Sequence, residues 1–164
     1  MTQSNDFFRT MTQDEAETFF GEMRDELRPL YKQAERTAAE TLRLRPVFLG
    51  RQPWSKRCGL IRKALGLKVN SDAAAELIAA FFMERYAGDV ATLLDGLGVE
   101  HEEGVLSEMS PEQPDGKKLK TAVDEFRAGG SAAQRELLLR AFASQGAIDW
   151  PLLDAMVFDL EEAK

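Results

Sequence analysis

Few side chains in this sequence have the chemistry to catalyse or coordinate. Its one histidine stands in the run Gly98-Val99-Glu100-His101-Glu102-Glu103-Gly104, and its one cysteine is Cys58. A single imidazole and a single thiol cannot assemble the Cys and His sets that hold structural zinc within one chain. A harder cation could draw on Asp95, Glu100, Glu102 and Glu103, but it also wants carbonyl ligands and a defined loop, and EF-hand spacing is absent. His101 therefore reads first as a helix cap or loop anchor bonded to a carboxylate. Glu100, His101, Glu102 and Glu103 are kept as a candidate loop site for a small ligand or metal, ranked third among the functional readings.

Nucleophile patterns are no richer. Cys58 shares an apolar stripe with Trp54 and Ile61, which predicts a buried thiol with little thiolate. Ser107, Ser110 and Ser131 lack the strand-turn-helix setting of a nucleophile elbow, and Leu97-Gly98 and Gly129-Gly130 fit neither a phosphate loop nor a dinucleotide fingerprint. No catalytic residue, metal or cofactor is assigned, and the reading leans away from an enzyme.

Charge is the informative layer. The net of -7 divides into -4 over residues 1–40, +8 over 41–70 and -11 over 71–164. The middle segment holds Arg43, Arg45, Arg51, Lys56, Arg57, Arg62, Lys63 and Lys68 and no Asp or Glu. With Phe48 and Trp54 as apolar anchors, these residues form the candidate partner-binding set. Their partner is expected to be an acidic surface on another protein or on a second copy. Nucleic acid ranks second, because a net negative chain repels a polyanion at long range and the basic residues of the 53–65 helix spread over more than half a turn.

Helices must position these groups. Apolar residues from Ala16 through Phe19, Phe20, Met23, Leu27, Leu30, Tyr31, Ala34, Ala38 and Leu42 recur at steps of three and four, predicting a long helix over about 13–44 that kinks or breaks at Pro29. Thr12 and Glu15 form its capping box. Two prolines and Gly50 make 46–53 a loop. A helix over 53–65 follows, its Trp54, Cys58, Ile61 and Leu65 within about 60 degrees on the wheel. A helix capped by Asn70 or Ser71 and running through about Tyr86 reads as the most buried one, Gly88-Asp89 as a break, and Val90 to Leu97 as a shorter helix closed by Gly98. Three more helices are expected over about 117–128, 131–144 and 149–162, the last two capped by Ser131 and Asp149.

The fold class is thus all-α: a single helical domain over 1–164, a bundle of about seven antiparallel-packed helices. Residues 1–11 read as a flexible tail and 98–116 as a long connection. No apolar run approaches a membrane span, Met1 to Asp6 has neither the basic nor the apolar region of a secretory signal, and one cysteine suits a reducing compartment. The sequence reading places the protein in the cytoplasm, as a non-enzymatic interaction or regulatory module without membrane contact.

Overall fold

A computed structural model describes residues 3–158. Over these residues the chain is all-α, with ten α-helices, one 3-10 turn and one short β-hairpin. It divides into two compact units, one over Gln3–Phe81 and one beginning at Phe82.

In the first unit, α1 (Ser4–Thr10) buries Phe7 and Phe8 completely, and Asn5 Nδ2 donates to Gly66 O at 3.2 Å. The segment expected as a flexible tail is therefore a core helix from Ser4 onward. Its apolar signal is confined to Phe7, Phe8 and Met11, too short a pattern to show a period. Helix α2 (Gln13–Glu26) starts at the predicted capping box: Glu15 N donates to Thr12 Oγ1 at 3.1 Å and Thr12 N to Glu15 Oε1 at 3.0 Å. The predicted stripe breaks at Leu27, with φ -133° and ψ 57°, and α3 (Arg28–Thr41) begins with Pro29 in its first turn, where the missing N–H costs no bond.

Residues 46–53 are not the predicted loop, because Pro46 opens the short helix α4 (Pro46–Arg51), whose Leu49 is fully buried. Helix α5 (Trp54–Leu65) buries Cys58, Ile61 and Leu65 as the wheel requires. It runs parallel to α3. The Tyr31 and Trp54 rings meet at the N-terminal ends, 6.0 Å between centroids, while Asn70 Nδ2 donates to Thr41 Oγ1 at 2.9 Å and to Ala64 O at 2.8 Å at the other end. A parallel pair needs a return segment, and α4 supplies it. A 3-10 turn (Lys68–Asn70) leads into α6 (Ser71–Arg85). Within this unit α6 buries Ala74, Leu77, Ile78 and Phe81 but exposes Ala75, Glu76 and Ala79, so it presents one stripe and is not buried all round. Phe81 lies 4.4 Å from Phe19, closing a cluster that includes Phe7, Phe8 and Phe20.

The second unit opens with α7 (Ala87–Leu97), whose break from α6 falls at Tyr86, so Gly88 lies inside the first turn. Gly98 ends it at φ 71°, as predicted. Residues 98–116 are more than a connection. They form an antiparallel hairpin, β1 (His101–Glu102) with β2 (Val105–Leu106), and then a stretch fixed by Trp150 Nε1 donating to Pro111 O at 2.9 Å. Helix α8 (Gly116–Ala128) is capped by Asp115, which accepts from Lys117 N and Lys118 N. Helix α9 (Ala132–Ala143) follows Ser131, whose side chain makes no cap bond, and α10 (Pro151–Val157) starts after Trp150 instead of after Asp149. Leu160 and the end of the helix expected over 149–162 lie outside the described residues. No described helix is long and apolar enough to cross a membrane.

Candidate interaction surface

The acid-free segment 41–70 begins where α3 stops. Arg43 adopts φ 54°, Leu44 N donates to Ala39 O at 2.9 Å, and the pattern is a Schellman turn with arginine at the position that favours glycine. Holding a β-carbon there costs about 1 kcal/mol. The turn projects Arg43 and Arg45 ahead of α4. Buried Leu49 anchors the inner side of that helix, leaving Val47 62% and Phe48 48% exposed on its outer side, with Arg51 exposed at its end.

Two of the eight predicted basic residues are engaged inside the fold. The Arg57 guanidinium donates to Gly50 O at 2.6 Å and to Gln52 O at 3.0 Å, satisfying the last carbonyls of α4. Arg62 donates to Met11 O, tying α5 to the turn between α1 and α2. Trp54 is likewise a structural anchor, since Arg24 stacks on it at 4.1 Å, Arg57 lies at 5.7 Å and Tyr31 closes a further side. Arg43, Arg45, Arg51, Lys56, Lys63 and Lys68 are all exposed, and among the described residues none of them makes an ion pair. Leu67 and Val69, 41% and 80% exposed, flank Lys68. Asn70 bonds this turn to Thr41, so it sits beside the Arg43 turn. Phe48 is singled out by the sequence, whereas Val47, Leu67 and Val69 join it only in the structure. Their signal was apolar residues in an acid-free run bracketed by helix ends, which single-segment periodicity does not weigh.

The groups behind this surface are chemically quiet. Burial pushes the Cys58 thiol up to about 12, with Glu17 adding to the rise, so it supplies no thiolate near neutrality. Burial also pushes the Tyr31 hydroxyl up to about 12, against the pull of the neighbouring Arg57.

The 100–104 segment is a tight turn. Glu103 at φ 51° and Gly104 at φ 91° form the two-residue loop of a type I′ hairpin. His101 locks it: Gly104 N donates to Nδ1 at 3.1 Å, which leaves the proton on Nε2 to donate to Asp95 Oδ1 at 2.6 Å. The imidazole is the loop anchor that the sequence suggested, and both its nitrogens are engaged. Glu100, Glu102 and Glu103 are exposed, and among the described residues no three His, Cys, Asp or Glu side chains converge to hold a metal. An open cleft of about 300 Å³ lies between α7 and α8, lined by Gly96, Asp115, Lys117, Lys118, Thr121 and Glu125. Its one lining hydroxyl, Thr121 Oγ1, donates to Lys117 O at 2.9 Å.

Comparison of the chain with family models, with curated proteins and with solved structures finds no match in any of the three.

Proposed function

We propose that this chain is a non-enzymatic interaction module of the cytoplasm that recognises an acidic, partly apolar protein surface through the face running from Arg43 to Arg51 and on to Lys68. The observation that carries the reading is a coincidence of two properties. Of the seven large apolar side chains exposed among the described residues, four (Val47, Phe48, Leu67 and Val69) fall within the segment that has eight basic and no acidic residues. Unpaired cations beside exposed apolar groups match a partner with carboxylates around an apolar ridge, where the charges steer and the apolar contacts hold. Arg43 adds a second feature, a charged and solvent-facing residue held in the left-handed region.

Fluorescence anisotropy tests it with a labelled amphipathic helix of glutamate and leucine. Binding should weaken at least tenfold in the triple variant Arg43→Glu, Arg45→Glu, Arg51→Glu, weaken again with Phe48→Ser, and stay unchanged with Lys117→Glu and Lys120→Glu on α8. Arg57 and Arg62 are left intact because they hold the fold together. Equal loss in the α8 control, or no loss in the triple variant, overturns the reading. Tighter binding of a single-stranded oligothymidylate, falling by several decades per decade of salt, would assign the same face to nucleic acid.

A further inference from the structure

The second unit carries the counterpart of the cationic face. Residues 99–114 contain no Lys or Arg, and Glu100, Glu102, Glu103, Glu108 and Glu112 are all exposed there. Within this base-free run Val105 is 58% and Met109 92% exposed. The two regions thus share one design with opposite sign: exposed apolar side chains set among charges of a single kind. The correspondence extends to the backbone, since among the described residues the non-glycine positions with positive φ are Arg43 on one face and Glu103 on the other.

We infer that the acidic surface recognised by the Arg43–Arg51 face is the hairpin segment of a second copy of this chain. Val105 and Met109 of one protomer seat against Val47 and Phe48 of its partner, and the flanking glutamates face Arg43, Arg45 and Arg51. The inference rests on the interaction reading above and names its partner. Each surface is solvent-exposed, so each has a contact to offer to another chain. A protomer has one face of each sign, so association either pairs two chains reciprocally or runs head to tail, and both raise the mass.

Sedimentation velocity of the full chain tests this between about 1 and about 200 μM, at about 50 mM and about 500 mM salt. The average mass should climb with concentration at low salt and return to the monomer at high salt. A charge swap then identifies the surfaces. Arg45→Glu with Arg51→Glu reverses one face, and Glu102→Lys with Glu108→Lys reverses the other. Each double variant alone should lose association at least tenfold, while an equimolar mixture of the two should regain it, because every contact between unlike variants is again complementary. Misfolding cannot produce that recovery. A wild type that stays monomeric throughout, or a mixture that stays dissociated, overturns the inference. If the wild type is monomeric yet still binds the Glu/Leu peptide through Arg45 and Arg51, the partner is another protein and only this inference falls; if it binds neither, both readings fall.

Discussion

The two charged surfaces differ in what stands behind them. The cationic face lies on a helix that a fully buried leucine, Leu49, fixes to the core and that Arg57 caps from below. The acidic face lies on a hairpin of two residues per strand, held by one turn and by His101 bonded to Asp95 and Gly104 N. One surface is positioned by packing, the other by directional bonds and a backbone conformation. Packing is lost through cavities and hydrogen-bonded turns are lost through strain, so different substitutions should disable each.

The largest effect is expected at Leu49. Truncation to alanine removes the only buried contact on α4's inner side and should cost about 2–5 kcal/mol by chemical denaturation. Peptide binding at the cationic face should fall with it, while the 101–106 amides keep their hydrogen-exchange protection. If those amides lose protection equally, the two surfaces are not separately supported.

Gly104→Ala attacks the other surface. At φ 91° a side chain is strained, and the new β-carbon would stand 3.2 Å from Ala87 O. The expected cost is about 1–3 kcal/mol, with faster exchange over 101–106 and unchanged exchange over 46–51. An alanine tolerated without loss would show that the turn is not what holds the hairpin.

How much of this contrast was legible in the sequence follows the same division. Long packed elements announce themselves by period: the Thr12-Glu15 box, the break near Pro29, and the Cys58, Ile61 and Leu65 stripe all stand where spacing places them, with Trp54 at its end only part-buried. The short helices α1 and α4 do not. Helix α1 shows less than two turns of pattern, and α4 hides behind two prolines that in fact mark a helix start and the cap of the next helix. The hairpin was invisible because two-residue strands cannot alternate long enough to show period two. Its turn signal, Glu-Gly, is weaker than the Asn-Gly or Asp-Gly that usually marks such a loop. Charge segregation was readable from composition, but which cations are free was not. The acceptors of Arg57 and Arg62 are backbone carbonyls, on Gly50, Gln52 and Met11, and carbonyls carry no residue signature.

Alkali should separate the two units by a different route. Tyr31 and Cys58, both in the unit that carries the cationic face, have pKa values raised to about 12 from ordinary values of 10.0 and 9.0. Between the unfolded and folded values the unfolded chain has released these protons and the folded chain still holds them. Stability is therefore fully present below about pH 9 and declines as pH rises, by about 1.4 kcal/mol per pH unit for each such group. Exchange at pH 10 should accelerate in α3 and α5 beyond its intrinsic rise, and Cys58→Ala should flatten the slope between pH 9 and 10. A slope that ignores the substitution would remove the thiol as its source.

The smallest expected effect is the most discriminating, because it sets stability against recognition at one residue. Arg43→Gly relieves the left-handed backbone at the end of α3 and should raise stability by about 1 kcal/mol. The same change deletes a cation from the proposed docking face and should weaken both the Glu/Leu peptide and self-association by several-fold. Glu103→Asn does the equivalent on the other surface, giving the type I′ turn a residue that tolerates positive φ while removing a carboxylate. A residue present only for structure would be improved by its relaxed replacement in every assay. Opposite movements of denaturation midpoint and association constant, at Arg43 and again at Glu103, would mean that each surface holds a charged residue in a costly conformation because the charge is used. A gain in stability with binding unchanged would leave the strain at both turns without a function, and with it would go the backbone half of the case for pairing them.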